Sequence, residues 1–255
     1  MSRVLVTGSA DGLGKLSAAQ LVAAGHEVVL HARSEARGRE ALDGVPGAAG
    51  VLTGDLASIA QTRALAENAN ERGRFDAVIH NAALGYQVSG PSPTEDGLAA
   101  VFAVNVLAPY LLTALMTRPD RLVYMSSGMH SGGDSSLDDL QWRDRRWSGT
   151  QAYSDSKLLD LVLCFAVARL WPDVRANAVT PGWVATRMGG PGAPDDLALG
   201  ADTQAWLAVS DEPAARVTGR YFYHRAERPA DSTASDPAVQ DELLAACAQL
   251  TGVAL

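Results

Sequence analysis

The chain of 255 residues is long enough to bury a sizeable core, and its length fits one large domain better than two. Its formal net charge of −8 at pH 7 argues against nucleic acid or an anionic membrane surface as the main partner, because both need a basic face. Its two cysteines, Cys164 and Cys247, are too few for a disulfide framework or a metal cluster, and we predict no metal site.

The amino terminus shows no secretory signal. The stretch MSRVLVTGSADG offers only a few apolar residues before a glycine turn, far fewer than a secretory apolar region needs. The most apolar helical stretch, 158–170, contains Asp160 and Arg169 and is too short to span a bilayer. We therefore expect a protein of the cytoplasm, which is a reducing compartment.

Short β-rich runs alternate with helical patterns along the chain. Strands are predicted in chain order at 3–7, 26–32, 50–56, 75–83, 120–127, 174–182 and 218–224. Helices are predicted at 15–25, at 58–73, at about 94–118 with a kink at Pro109, and around Tyr153. The alternation is typical of βαβ units, so we predict one doubly wound α/β domain, 1–255, whose mostly parallel sheet is flanked by helices.

Two polar stretches rich in glycine and proline interrupt this pattern, at about 128–150 and 183–200. Long loops after the strands of an open α/β sheet lie where ligands bind, so we predict that both are substrate loops. Large apolar side chains in or beside these loops would either line an apolar pocket or pin the loops down, and the sequence leaves both readings open. They are Met129, Trp142, Trp147, Trp183 and Met188.

A glycine-rich turn, VTGSADGLGKL, lies directly between the first strand and the first helix. Glycine is needed there because the backbone turns sharply and a pyrophosphate must closely approach the amino terminus of the helix. The position at the first strand–helix junction predicts a dinucleotide site. Its expected members in this turn are Gly8, Ser9, Gly12, Leu13 and Gly14.

With the threonine before it, this turn resembles that of the short-chain dehydrogenase/reductase family. Further motifs carry the same resemblance: HNAA at 80–83, Asn105 in VNVLAPYLLT, Ser127 in VYMSS, Tyr153 and Lys157 in YSDSK, and the loop TPGWVATRM. HNAA departs from the family's N-N-A-G by a histidine at its first position and an alanine at its last. The resemblance extends from Val4 to the closing LTGV and implies a Rossmann-type fold.

Tyr153 and Lys157 are four positions apart, so a helix places both on one face. Carbonyl reduction by hydride needs a proton for the developing alkoxide, and alcohol oxidation needs that proton removed. An ammonium roughly 4 Å from a phenolate stabilises it by about 4 kcal/mol at an effective dielectric near 20. Lys157 would therefore allow Tyr153 to exchange protons near neutral pH, whereas the alternative is an ordinary surface pair.

The resemblance implies a role for each of four residues. Tyr153 would be the general acid or base, and Lys157 would also hold the hydroxyls of the nicotinamide ribose. Ser127, rather than its neighbour Ser126, would hydrogen-bond the substrate oxygen, and Asn105 would hold a water molecule of the proton relay. Further cofactor-binding residues implied by the family motifs are Asn81, Ala82, Ala83, Pro181, Gly182, Val184 and Thr186.

The end of the second strand faces the adenine ribose and so selects the cofactor. Family members that use NAD usually carry an aspartate there, whereas this chain has Ala32 followed by Arg33. Arg33 would pair with the 2′-phosphate of NADP(H), a preference of roughly ten- to a hundredfold. Asp11 in the glycine turn argues the other way, because many NADP-using relatives place a basic residue near there. Asp55 and Leu56 resemble the family's adenine-contacting pair.

Ser127 and Tyr153 are 26 positions apart, a longer interval than in the shorter family members. The inserted segment and the carboxyl-terminal GRYF…DELLAACAQLTGV resemble the retinol-dehydrogenase-like branch, which includes reductases of bulky hydrophobic carbonyls. We therefore predict an NADP(H)-dependent oxidoreductase that acts on a ketone, an aldehyde or the corresponding alcohol.

Two further readings stay open. A non-catalytic dinucleotide-binding protein, acting as a redox sensor or scaffold, is the alternative function, because HNAA and Asp11 depart from the family pattern. The resemblance also suggests a homodimer or homotetramer.

Overall fold

The computed structural model describes residues 1–255, and its centre is one eight-stranded sheet. The strands are β1 (Arg3–Val6), β2 (Glu27–Ala32), β3 (Gly50–Thr53), β4 (Ala77–His80), β5 (Arg121–Met125), β6 (Arg175–Val179), β7 (Tyr221–Tyr223) and β8 (Ala226–Arg228). Their order in the sheet is β3-β2-β1-β4-β5-β6-β7-β8. All neighbouring strands pair in parallel except β7 and β8, so the predicted doubly wound sheet is confirmed.

Helices cover both faces of the sheet. They are α1 (Gly12–Ala23), α2 (Glu35–Gly44), α3 (Ile59–Glu71), α4 (Ala100–Phe102), α5 (Ala108–Leu115), α6 (Gly149–Leu170), α7 (Leu197–Val209) and α8 (Pro237–Thr251). Side chains of a strand alternate between its two faces. Val4 and Val6 accordingly join the apolar cluster beneath α1, α2 and α7, whereas Leu5 joins the larger cluster beneath α3, α5, α6 and α8.

Helix α6 is buried along most of its length within its own chain. Leu161, Leu163 and Cys164 have no exposed surface, and Leu243 and Cys247 of α8 belong to the same apolar cluster. No helix combines the length and the apolar character needed to cross a lipid bilayer.

The helix predicted at 94–118 is shorter than expected and irregular. It begins with α4 at Ala100, continues through one π-helical turn, Ala103–Leu107, and ends with α5 at Leu115. Pro109 follows the π turn and has no N–H, so the carbonyl of Asn105, four residues earlier, loses the usual α-helical hydrogen bond. Pro109 thus marks the disturbed part of the helix, as expected, and that part contains Asn105.

Four elements have no counterpart among the predicted ones: α2, α7, α8 and β8. Strand β8 is an exposed three-residue edge strand that pairs with β7, in a segment for which the polar composition predicts a loosely packed surface tail. The turn between the two strands places His224 and Arg225 at positive φ, 48° and 59°. Such turns usually carry asparagine and glycine, so this hairpin has no local sequence signal.

Candidate active site

The predicted site residues gather at one edge of the sheet. Strands β1, β4, β5 and β6 are parallel neighbours, so their carboxyl ends meet there. An open cavity of about 870 Å³ lies at this edge. It is lined, among others, by Leu13, Ser127, Tyr153, Thr180, Pro181, Gly182, Val184 and Thr186.

At two positions of the glycine turn, Gly8 and Gly14, the structure has room for glycine only. Gly8 has φ +63°, and a Cβ there would lie 2.8 Å from the Cα of Ala82. A Cβ at Gly14 would lie 2.5 Å from the carbonyl oxygen of Gly8. Both distances are well below van der Waals contact. The glycine turn therefore lies tightly between Ala82, which follows β4, and the first turn of α1.

The amino terminus of α1 differs from those of the other long helices. A side-chain cap bonds the first turn of α2, α3, α6, α7 and α8, whereas Asp11 makes no such bond to α1. Free backbone N–H groups at a helix amino terminus, next to a tight glycine turn, form a binding site for a phosphate group. The residues present therefore fit the pyrophosphate of a dinucleotide.

The side chains of Thr7 and His31 hold the glycine turn in place. The backbone N–H groups of Asn81 and Ala82 donate to the Thr7 hydroxyl at 2.9 and 3.0 Å. The Gly8 N–H donates to Nδ1 of His31 at 3.0 Å, and Nε2 of His31 bonds the Gly54 carbonyl at 3.0 Å. Burial lowers the pKa of His31 to about 4, so this histidine is neutral and can accept. No sequence motif indicated this role.

Ser9 has a similar internal role. Its side chain is fully buried, its hydroxyl donates to the Val6 carbonyl at 2.9 Å, and it accepts the His31 N–H at 2.9 Å. The Ser9 N–H is also used, because it donates to the His31 carbonyl. The structure therefore places Ser9 in the support of the turn, while Gly12 and Leu13 form its open side.

The two candidate serines have separate environments. Ser127 lines the cavity, and its hydroxyl accepts the Met129 N–H at 3.2 Å. Ser126 is buried and donates to the Lys157 carbonyl at 2.8 Å. Of the pair, Ser127 therefore lines the same cavity as Tyr153, whereas the side chain of Ser126 is turned away into the core.

Lys157 lies beneath Tyr153 on α6, as the four-residue spacing predicts. Its Nζ is 5.7 Å from the centre of the Tyr153 ring. The ammonium donates to the carbonyl of Met125 and to Oδ2 of Asp160, each at 2.7 Å. An ammonium has three protons, and these two bonds use two of them. The partner carboxylate, Asp160, was not predicted.

Asn105 is almost fully buried, and its amide contacts protein groups. Oδ1 accepts the Leu84 N–H at 2.7 Å, and Nδ2 donates to the Leu84 carbonyl at 3.0 Å and to the Ser156 hydroxyl at 2.9 Å. The side chain thus fastens the loop after β4 to α6. Both Nδ2 protons of Asn105 are thus used, which leaves for a relay water one lone pair of Oδ1 and the backbone carbonyl, which receives no hydrogen bond from Pro109.

The predicted cofactor-selecting residue, Arg33, is exposed at the end of β2. Asp11, in the glycine turn, is paired with Arg37 at 2.8 Å and lies 3.7 Å from Arg187. The positive charges of Arg37 and Arg187 offset the negative charge of Asp11, which was the sequence feature against NADP. Arg37, in α2, is thus joined to the glycine turn by an ion pair that was not predicted from the sequence.

The predicted adenine-contacting pair, Asp55 and Leu56, follows β3. Leu56 is buried in the larger apolar cluster, so its side chain packs into the core. The Asp55 carboxylate accepts the Ala57 N–H at 2.9 Å and is partly exposed.

The five large apolar side chains of the two loops divide into two groups. Met129, Trp183 and Met188 line the cavity. Trp142 and Trp147 instead contact each other edge to face, with ring centres 5.0 Å apart, and pin the loop after β5 to the apolar cluster.

Tyr86, in the loop after β4, belongs to the site and was missed. It lines the cavity, and its ring meets that of Tyr153 edge to face at 5.9 Å between centres. The indole N–H of Trp147 donates to the Val88 carbonyl at 3.1 Å, and a Cβ at Gly149 would lie 2.5 Å from the Tyr86 carbonyl oxygen. The start of α6 therefore fixes Tyr86 by contacts that no local motif reveals.

Comparison with known proteins places the chain among oxidoreductases. A sequence model of the family described as short chain dehydrogenase matches residues 2–129. An uncharacterized oxidoreductase of Emericella nidulans is 44% identical over 99% of this chain and 98% of its own length. A Streptomyces protein provisionally named a daunorubicin C-13 ketoreductase is 33% identical over 98% of this chain and 92% of its own length.

Two further matches extend this result. Retinol dehydrogenase 13 of Homo sapiens is 30% identical over 98% of this chain and 84% of its own length. The crystal structure of an uncharacterized protein from Mycobacterium paratuberculosis superposes with a TM-score of 0.85 at 28% identity, covering 100% of this chain and 94% of that one. The family resemblance and the Rossmann-type fold drawn from the motifs are thereby confirmed.

Proposed function

Because the chain belongs to the short chain dehydrogenase family, whose members use nicotinamide cofactors, we propose that it is an NADP(H)-dependent oxidoreductase of bulky hydrophobic ketones or aldehydes, or of the corresponding alcohols. One observation carries the proposal. Tyr153 and Ser127 line the same large cavity, and the ammonium of Lys157 lies on the next helical turn beneath Tyr153.

The four catalytic residues have these proposed roles. The Tyr153 hydroxyl donates its proton to the substrate oxygen during reduction and accepts it during oxidation. The Ser127 hydroxyl hydrogen-bonds the same oxygen, and Lys157 stabilises the phenolate that Tyr153 becomes. Asn105 supports the relay through its π-turn carbonyl. When bound, the nicotinamide supplies or accepts the hydride.

The cofactor site is proposed to run along the glycine turn. Gly8, Gly12, Leu13 and Gly14 lie against the pyrophosphate at the uncapped end of α1. The further proposed contacts are Ser9, Arg33, Asp55, Leu56, Asn81, Ala82, Ala83, Pro181, Gly182, Val184, Thr186 and Lys157. The internal hydrogen bonds of Ser9 and the buried side chain of Leu56 favour a supporting role for these two.

The cavity supports a bulky hydrophobic substrate. A volume of about 870 Å³ is at the upper end for small-molecule sites, and the space must also admit the nicotinamide. Tyr86, Trp183 and Tyr223 give it aromatic walls, and the two long loops contribute to it as proposed substrate loops. The Streptomyces relative is named as a daunorubicin C-13 ketoreductase, which supports a ketone as the substrate.

The activity is tested by NADPH consumption with a panel of bulky ketones and aldehydes. Tyr153→Phe should lower the rate at least a hundredfold, because it removes the proton donor and keeps the ring. Tyr110→Phe is the matched control, since Tyr110 is a core residue whose hydroxyl bonds the Val253 carbonyl. Equal rates for Tyr153→Phe and the parent would contradict the assigned chemistry. Binding of NADPH without turnover of any compound would favour a sensor or scaffold.

The cofactor preference is tested separately by calorimetry with NADPH and NADH. NADPH should bind the parent at least tenfold more tightly, and Arg33→Ala should reduce that difference to a few-fold. Arg39→Ala is the control, because Arg39 is an exposed arginine of α2 with no ion-pair partner. Equal binding of the two dinucleotides by the parent would contradict the NADP assignment. The homo-oligomer and the cytoplasmic location stay predictions.

A further inference from the structure

A buried carboxylate lies beside the lysine of the proposed catalytic pair. Asp160 follows Lys157 by three residues on α6, and each residue is only 2% exposed. The Nζ of Lys157 donates to Oδ2 of Asp160 at 2.7 Å. Lys157 therefore does not act on Tyr153 as an isolated positive charge, but as one half of an ion pair.

The other titratable groups around this pair are neutral at ordinary pH. Burial raises the pKa of Tyr124 on β5 and of Cys164 on α6 well above their usual values. His80 on β4 lies against Tyr124, with ring centres 4.8 Å apart, and burial lowers its pKa to about 3. Within this buried cluster, the charges next to Tyr153 are those of Lys157 and Asp160.

The charge of Asp160 depends on pH in a useful range. Burial raises the pKa of Asp160 to about 6, against the opposing effect of the Lys157 ammonium. Above about pH 6 the carboxylate is charged and offsets the ammonium, and below it the carboxyl takes up a proton. A carboxylate paired with the Lys157 ammonium at 2.7 Å reduces the stabilisation that this ammonium gives to a phenolate at Tyr153.

We propose that Asp160 is a positioning residue that offsets the charge of Lys157, so that the Tyr153 hydroxyl stays protonated, and able to donate in carbonyl reduction, up to a higher pH than Lys157 alone would allow. Reduction uses the protonated tyrosine as donor, whereas oxidation needs the phenolate as acceptor. The effect on reduction rests on the proposed function. The effect of Asp160 on the Tyr153 proton does not, because it is a property of the protein alone.

The proton effect is measured without substrate. Absorbance of phenolate is recorded against pH, and the titration of Tyr153 is isolated by subtracting the matching Tyr153→Phe protein. In Asp160→Asn, which keeps an oxygen for the lysine, the Tyr153 phenolate should appear about one pH unit lower than in the parent. An unchanged or higher midpoint would overturn the proposal. If Asp160→Asn does not fold, Asp160→Ser is titrated in the same way.

Asp155→Asn is the matched control. Asp155 is the other carboxylate buried on α6 near the site, but it pairs with Arg145 at 3.0 Å and not with Lys157. Its titration should equal that of the parent. A shift as large as that of Asp160→Asn would overturn the assignment to the Lys157–Asp160 pair.

Turnover supplies the second readout. The pH at which kcat for reduction begins to fall should be about one unit lower in Asp160→Asn than in the parent, because the protonated donor is lost about one unit earlier. Parent and variant should converge below about pH 6, where Asp160 is protonated. A shifted titration without turnover in either direction would contradict the proposed function and keep the charge effect. Turnover in which the pH profile of kcat and the Tyr153 titration both equal those of the parent would overturn this proposal alone.

Discussion

The amino-terminal half of the chain and the carboxyl-terminal half form their parts of the site in different ways. In the first half, the glycine turn between β1 and α1 is held by backbone N–H groups, by Thr7 and by the buried ring of His31. In the second half, long loops after β5 and β6 form the cavity wall with aromatic and thioether side chains. The family model matches residues 2–129, which is the half that backbone geometry constrains.

This difference has a physical reason. A pyrophosphate must be met by backbone groups at fixed distances, so few residues other than glycine are possible there. An apolar pocket needs only a suitable volume and surface, which many combinations of side chains provide. The cofactor half therefore keeps a recognisable motif, and the substrate half is free to vary with the substrate.

The largest expected effect that sharpens this comparison is that of Gly14→Ala. The added Cβ would lie 2.5 Å from the Gly8 carbonyl oxygen, so the turn must open and its N–H groups move away from the pyrophosphate. We expect binding of the dinucleotide to weaken at least a hundredfold, a loss of about 2.7 kcal/mol, as measured by calorimetry. Gly132→Ala, in open space within the loop after β5, should bind like the parent, and a smaller loss than tenfold in Gly14→Ala would contradict the argument.

The second effect concerns the acid sensitivity of the first half. Burial lowers the pKa of His80 to about 3, whereas the unfolded chain titrates near 6.5. Below pH 6.5 His80 binds a proton in the unfolded chain, whereas the buried His80 of the folded chain does not. The stability from His80 is therefore complete above pH 6.5 and is lost as the pH falls towards 3. Between pH 7.5 and pH 5 this loss is about 2 kcal/mol.

His80→Asn removes that titration. Urea unfolding at the two pH values should therefore show a loss on acidification that is about 2 kcal/mol smaller in the variant than in the parent. His31, buried with a pKa of about 4, causes the same loss of stability on acidification in both proteins. The same loss in parent and variant would show that His80 does not carry the effect.

The smallest effect belongs to the second half. Trp183 lines the cavity and is 56% exposed, so Trp183→Ala removes one aromatic contact with little change to the core. Such a contact contributes about 1 kcal/mol, and we expect KM for a bulky ketone to rise about fivefold with unchanged affinity for the dinucleotide. Trp171→Ala, which removes a tryptophan stacked on Arg118 instead, should leave both values unchanged. A loss of dinucleotide affinity in Trp183→Ala would mean that the two halves do not act separately.

The sequence by itself determined the elements that repeat a regular pattern. Hydrophobic alternation predicted β1 to β7 and the helices α1, α3 and α6, because strands buried in a parallel sheet and helices on its faces need those periods. The glycine turn and the four-residue spacing of Tyr153 and Lys157 predicted their places for the same local reason. The preference for Ser127 over Ser126 also agrees with their positions.

Only the tertiary structure decided the contacts between distant segments. Tyr86 meets Tyr153 because Trp147 and Gly149 hold the loop after β4, and β8 exists because β7 offers it an edge. The amide of Asn105 turns to Leu84 and Ser156, and the ammonium of Lys157 bonds the Met125 carbonyl of β5. Local pattern fixes periodicity along the chain, but a hydrogen bond between residues far apart depends on packing, which the whole fold sets at once.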